Sequence, residues 1–277
     1  MKTTEIKDPK ANSRYQMVVQ SNDFIRHPKS QLTAQEQNIA YFLISKVKPT
    51  DTDFMKISFT VEEFCELCGM DSKSGKNYSD IKYALKSLSD KSAWTEYRDE
   101  KGRRVETLVR WVDTYEIWPD SGEMTAVLSQ SIKPFLLGLV EKGFYTQAEL
   151  ITLLALQSRY SKRLYELLKS YISMDIKQAH RYVFKEFEIM ELKKLLGAET
   201  YGRFADFNRR VLDIAMREIN EVTDISVSYT PIKPRRITTH ISFTIQLKKD
   251  TERFGAYLSA EKKFSKTKAK VNGDCND

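Results

Sequence analysis

The sequence predicts an α+β fold of two tandem winged helix-turn-helix domains related by internal duplication. Three observations carry that prediction. Capped helical segments occur in two groups, and each group is followed by alternating apolar residues around a turn signal. The two groups share a register, with Phe59, Glu63, Leu67 and Gly69 at one constant offset from Phe187, Glu191, Leu195 and Gly197. The 277 residues, at roughly 150 per domain, are enough for two cores.

Residues 1–30 are polar and mixed, and are expected to form a loosely attached arm. The first winged helix is expected over 31–140. Thr33 and Glu36 form a capping box ahead of QNIAYFLISKV, a helix ending near Lys48 and Pro49. KISF (Lys56–Phe59) reads as a strand, and Thr60 with Glu63 caps a short helix closed by Gly69. A longer helix is expected over Asn77–Trp94. Then Trp94–Arg98, Val105–Trp118 and Glu123–Ser129 read as a three-stranded antiparallel sheet, turned at Gly102 and at Pro119–Gly122. Trp94, Trp111, Tyr115 and Trp118 are read as the core of that sheet, with a nucleotide-stacking platform as the alternative.

A short helix around Ile132–Leu139 leads to the second winged helix, expected over 141–250. Thr146 and Glu149 read as a third capping box, opening TQAELITLLALQ. Helices are expected over Ser161–Ile172, over FEIMELKKLLG up to Gly197, and over Phe204–Val222. The hairpin Ile225–Tyr229 and Ile237–Leu247 follows, joined by TPIKPRR. In its second strand Ile237, Ile241, Phe243, Ile245 and Leu247 form one buried face. Residues 251–277 lose periodicity, carry several lysines, and read as a flexible basic tail.

Composition excludes several classes. Charged residues make up 30% and hydrophobic ones 41%, as in a globular chain. The longest apolar run, Leu150–Leu156, is far below the roughly 20 residues of a membrane span. The opening MKTTEIKDPKANSR lacks the apolar stretch of a secretory leader, and three cysteines make no disulfide framework, so the cytoplasm is expected. The net charge of +7 favours an acidic partner without identifying it.

The helix Phe204–Val222 holds the main candidates. Phe204, Phe207, Val211, Ile214, Ala215 and Val222 form its apolar stripe, and Arg203, Arg209, Arg210 and Arg217 lie mostly off it. An Arg-bearing second helix of a helix-turn-helix reads bases in the major groove. Arg can grip guanine and Asn208 adenine, at about 1–3 kcal/mol of discrimination each. The competing reading is a solvated helix with Asp206–Arg210 and Asp213–Arg217 pairs, which would leave Arg209 as the better candidate for DNA. At the wing, Lys233, Arg235 and Arg236 crowd a turn that Pro231 and Pro234 hold extended, suited to phosphate contact. A weaker parallel set lies in the first half. Lys73, Lys76, Asn77, Lys82 and Lys86 precede or lie on its third helix, and Arg103 and Arg104 sit at its wing. Arg159, Lys162 and Arg163 either touch phosphate or cover apolar surface.

No enzyme chemistry stands out. Cys65 and Cys68 have no second pair and read as core. The three histidines are scattered, and no phosphate loop, nucleophile elbow or metal-spaced carboxylate set occurs. No metal or cofactor is therefore expected.

Three stretches carry a resemblance: LTAQEQNIAYFLISKVKP, SRYSKRLYELLKSY and FNRRVLDIAMREINEVTDISVSY. In order and content, across about residues 17–247, the chain resembles plasmid replication initiators of the iteron-binding, two-winged-helix type. The resemblance implies binding of direct repeats in double-stranded DNA at an origin, opening of adjacent A·T-rich DNA, and recruitment of the host replication initiator and helicase. It also implies a homodimer in equilibrium with monomer, the dimer forming through the first domain and repressing the initiator's own gene. Carried over by position, it places DNA recognition at Arg203–Arg217 and the wing at Lys233–Arg236. The alternatives are a dedicated transcriptional repressor and a rolling-circle nicking enzyme, the latter disfavoured by the lack of paired histidines.

Overall fold

Two short three-stranded sheets with the same strand order organise the molecule. The computed structural model describes residues 14–27, 31–48, 51–99, 101–172, 182–234 and 237–273, without the side chains of 142 and 265–273. The chain begins with β1 (Met17–Ser21) and α1 (Asn22–Arg26), followed by α2 (Ala34–Ser45). Next come β2 (Ile57–Thr60), α3 (Val61–Cys68), α4 (Gly75–Asp90), β3 (Ser92–Arg98), β4 (Arg104–Arg110), β5 (Val112–Trp118) and β6 (Glu123–Leu128). A 3-10 turn (Gln130–Ile132), α5 (Lys133–Leu136), α6 (Leu139–Lys142), β7 (Tyr145–Glu149), α7 (Leu150–Ala155) and α8 (Arg159–Lys169) form the centre of the chain.

The second half contains β8 (Val183–Glu188), α9 (Ile189–Leu196), α10 (Phe204–Phe207), a π-helical turn (Asn208–Leu212) and α11 (Asp213–Val222). It ends with β9 (Ile225–Ile232), β10 (His240–Leu247) and α12 (Asp250–Gly273). The sheets run β2-β6-β5 and β8-β10-β9, so each central strand is the last of its set. The duplication read from the sequence therefore recurs as topology, and α3 and α9 both end in a left-handed glycine, Gly69 (φ 67°) and Gly197 (φ 63°).

The predicted capping boxes at Thr33/Glu36 and Thr60/Glu63 both form. Each hydroxyl accepts the amide three residues on, and each carboxylate accepts the cap's own amide at 2.7–2.8 Å. The third does not. Thr146 and Glu149 lie in β7, which pairs antiparallel with β1, and the Thr146 hydroxyl donates to Asn22 Oδ1 at 2.6 Å. Glu149 precedes α7 with no side-chain cap bond. A strand partner more than a hundred residues away outweighs a local cap.

Other expectations change for similar reasons. The loose arm does not extend over residues 17–26, since Val18, Phe24 and Ile25 are buried. The expected strand Val105–Trp118 breaks at Trp111, whose ring is buried edge-on to Phe24 at 5.4 Å. Its two pieces enter different sheets: β4 pairs only with β3 in a two-stranded ribbon, and β5 pairs with β6. Trp94 and Trp118 are exposed rather than core, while Tyr115 is half-buried against it. Phe187 lies in a strand, not a helix, because β8 completes the second sheet and brings Phe187 against Phe243. The tail expected to be flexible is helical to Gly273, and Ala256, Ala260 and Phe264 pack inward at four-residue spacing. Ile237 is exposed, because β10 begins at His240.

One apolar core runs through both winged helices. Phe24, Trp111 and Phe135 belong to the same buried cluster as Leu150, Leu154, Leu164, Leu168, Phe207, Val211 and Phe243. The two winged helices thus share one buried core. Among the described residues no helix is long and apolar enough to cross a membrane.

Candidate nucleic-acid interface

The second helix-turn-helix is built around a buried lysine. Lys193, only 3% exposed, donates from Nζ to the carbonyls of Tyr201 and Gly202 at 2.5 and 3.3 Å, and its ammonium lies 5.5 Å from the Phe207 ring centre. It satisfies carbonyls in the turn between α9 and α10 and so sets where the second helix starts. At Gly197 a Cβ would come within 2.9 Å of Gln31 Cγ, so the turn needs both the left-handed backbone and the missing side chain.

The second helix runs from α10 through the π turn into α11. Phe207, Val211, Leu212, Ala215, Ile219 and Val222 are buried, while Arg203, Arg209, Arg210, Asp213 and Arg217 face outward. Asp206 pairs with Arg203 at 2.9 Å and with Arg209 at 3.5 Å. Arg209 was expected to lack a carboxylate partner. It has one because Asp206 lies three residues before it, on the adjoining turn. The Asp206–Arg210 and Asp213–Arg217 pairs of the competing reading do not form. Asp206 is shared by Arg203 and Arg209, and Asp213 is engaged by Asn208 and Tyr229. Among the described residues Arg210 and Arg217 make no ion pair, which leaves two cations on the outer face for an anionic partner.

Asn208 is not free to read a base as it stands. Its amide donates to both Asp213 oxygens at 3.0 and 3.1 Å, and its carbonyl accepts from the Tyr229 hydroxyl at 2.6 Å. Burial, then the Asp213 carboxylate, pushes the Tyr229 hydroxyl up to about 12. At the wing, Pro231 is a strand residue opposite Ile241, and Lys233 is exposed beyond it. Arg235 and Arg236 lie outside the described residues.

In the first domain Ile81, Ala84, Leu85 and Leu88 bury one side of α4, leaving Lys76, Lys82 and Lys86 exposed on the other. Asn77 donates to the Asp71 carbonyl at 2.7 Å and staples the preceding loop. Arg103 pairs with Asp99 at 2.7 Å, and Arg104 with Glu96 at 2.6 Å and Glu106 at 2.8 Å. These solvated pairs are worth little, so the arginines can exchange their carboxylates for phosphates at small cost.

Three other cations are not surface groups. Lys162 is 1% exposed and donates to the Leu153 carbonyl, and burial pushes its ammonium down to about 7. Arg163, 5% exposed, donates to the carbonyls of Leu195 at 3.1 Å and His27 at 2.7 Å, and also to that of Ile25. Arg159 is half-buried and donates to Tyr160 Oη at 2.7 Å and to the Gly197 carbonyl at 3.3 Å. All three are engaged by groups of the protein itself, and Arg163 alone of them bonds to the N-terminal segment, at Ile25 and His27, so the reading of them as phosphate contacts is set aside. Cys65 and Cys68 are free thiols that burial pushes up to about 11 and about 12. Among the described residues no group of three His, Cys, Asp or Glu is placed to hold a metal ion.

Reading the sequence alone misses Tyr229 and Lys193, and pairs Asp213 with Arg217 instead of with Asn208 and Tyr229. Lys193 and Asp213 carry charges that resemble surface charges in sequence, and the strand position of Tyr229 does not reveal its reach to the helix.

Comparison with known proteins agrees with this architecture. Residues 17–169 match the family described as initiator replication protein, WH1, and residues 188–245 match initiator Rep protein, WH2. The PI protein of Escherichia coli is 29% identical over 130 residues, which span 43% of this chain and 40% of that protein's length. The crystal structure of a Pi initiator protein in complex with iteron DNA superposes with a TM-score of 0.67 at 19% identity, covering 86% of this chain and 100% of that one. At that identity the likeness is one of fold. The WH1 domain of the replication protein MSBI1.176, isolated from a multiple sclerosis patient, overlaps 40% of this chain and 82% of its own, at 16% identity and a TM-score of 0.31, too loosely to build on. The matched segments take in both winged helices and the central helices between them, and the chain belongs to the family of initiator replication proteins built from two winged-helix domains.

Proposed function

We propose that this chain initiates plasmid replication by binding directly repeated sites in duplex DNA at an origin, without a catalytic step of its own. One observation carries the reading. The outer face of the second helix of the second domain presents Arg210 and Arg217, which make no ion pair among the described residues, beside Arg203 and Arg209 sharing the carboxylate of Asp206. Such a face suits the major groove, where Arg grips guanine edges. Lys233, Arg235 and Arg236 at the wing, and Lys76, Lys82, Lys86, Arg103 and Arg104 in the first domain, hold phosphates. Family membership supports the initiator role, and the likeness to a Pi initiator protein solved with iteron DNA supports repeats as the target.

In this reading residues 141–250 read sequence, while residues 31–140 position the protein and form the homodimer that represses its own gene. The host initiator and helicase follow as partners, in the cytoplasm. The test is selection from a random duplex pool, with the protein stoichiometry of each complex determined across a salt series. One enriched site of about 20 bp bound by a monomer supports the reading. A palindrome bound only by dimers makes repression the main function. No enriched motif overturns the assignment.

A further inference from the structure

The apolar residues Phe207, Val211, Ala215 and Ile219 recur at strict four-residue steps, and all are fully buried. In an α-helix each such step overshoots a turn by about 40°, so three steps drift by about 120°. The π turn Asn208–Leu212 inserts one extra residue and takes up roughly 100° of that drift, which keeps the stripe on the core. It also rotates Arg203, Arg209 and Arg210 relative to Arg217 and the body of the domain. Which side of the groove the arginines meet thus depends on whether this turn is π or α.

The turn is closed twice by the same two residues. The Asp213 amide donates to the Asn208 carbonyl, and the Asn208 side-chain amide donates back to the Asp213 carboxylate at 3.0 and 3.1 Å. Side chains five apart point away from each other on an α-helix, where neighbours are three or four apart, so this pair is available only to the π form. Tyr229, on β9, completes it from the wing side. Its hydroxyl lies 2.6 Å from Asn208 Oδ1 and 3.1 Å from Asp213 Oδ1. We infer that Asn208, Asp213 and Tyr229 are positioning residues for DNA recognition: they hold the π turn and couple it to the wing, and so fix the rotational setting of the arginines. The inference rests on the proposed reading of DNA by this helix and replaces direct adenine contact as the role of Asn208.

The test compares binding of the full chain to its selected site and to a scrambled duplex of equal length. The variants are Tyr229→Phe, Asp213→Ala and Asp213→Asn. Tyr229→Phe and Asp213→Ala are expected to lower the ratio of the two affinities at least about tenfold, mainly through the selected site, with Tyr229→Phe leaving the salt slope on scrambled DNA unchanged. Asp213→Asn keeps an acceptor for the Asn208 amide and should retain most of the ratio. A purely stabilising network would weaken both duplexes together, and a purely electrostatic Asp213 would strengthen both, so an unchanged ratio in either form overturns the inference. Should Tyr229→Phe or Asp213→Ala fold poorly, Asn208→Ala on the helix surface provides the same comparison. If the wild-type chain itself shows no preference, the reading of DNA by the helix has failed, and the positioning role falls with it.

Discussion

Glu218, on α11, accepts hydrogen bonds from the backbone amides of Gln157 and Ser158 at 3.0 and 3.1 Å, at the start of α8. One carboxylate thereby satisfies two amides at a helix N-terminus, where the helix dipole also favours negative charge. It ties the helix proposed to face DNA to α8, the central helix that carries Lys162 and Arg163. Glu218→Ala should destabilise the fold by about 2 kcal/mol, and Glu218→Gln, which keeps one acceptor, by about half of that. Urea melts of the two variants give the comparison, and equal losses would show that the charge and not the cap is what counts.

Lys162 supplies a pH dependence. Burial lowers its pKa from 10.5 to about 7. Between those values the unfolded chain binds a proton that the folded chain does not, so stability rises with pH across about 7 to 10.5, and below about 7 the full penalty is present. Lys162→Met is expected to raise the melting temperature near neutrality and to flatten the stability profile between pH 7 and 9.5. The difference between variant and wild type across pH isolates this group, and a constant difference would contradict the assignment.

Asp206 restrains two arginines of the proposed DNA face. Removing its charge should free both for phosphate. Asp206→Asn is therefore expected to tighten binding to all duplexes several-fold and to steepen the salt slope by about one unit. Arg210→Ala, which breaks no ion pair, should cost more on the selected site than Arg209→Ala. Filter binding across a salt series reads both effects, and a weaker Asp206→Asn complex would mean that the pairs orient the arginines for binding.

Arg14 joins the two ends of the described chain. Its Nε donates to the Leu67 carbonyl at 2.7 Å, a second nitrogen donates to the Glu66 carbonyl, and the guanidinium stacks 4.4 Å from the Phe264 ring centre. Arg14→Ala should cost about 1–2 kcal/mol, and amide exchange in α12 around Ala256–Phe264 should quicken more than in α4. Uniform exchange changes would remove Arg14 as the link between α3 and α12.

The legible features were the local ones. Thr33/Glu36 and Thr60/Glu63 act within one turn, Gly69 and Gly197 end helices by their own backbone freedom, and the alternation of Ile241, Phe243 and Ile245 needs only a strand with one buried face. The π turn is not among them, because the spacing of apolar residues from Phe204 to Val222 reads as one continuous helix. What escaped sequence reading depends on distant partners. Thr146 looks like a cap until β1 pairs with its segment, and Arg163 looks like a surface cation until the carbonyls of His27 and Leu195 surround it.

By itself, then, the sequence determined that this protein is a duplicated winged helix with basic edges. Caps, stop signals and apolar periods are properties of neighbouring residues. Only the tertiary structure decided which cations serve which purpose. Lys162, Lys193 and Arg163 are drawn inside because buried carbonyls from other segments meet them, while Arg210 and Arg217 remain outside because the carboxylates expected to pair with them are engaged elsewhere. Charge is written in the sequence, but its partner is set by packing.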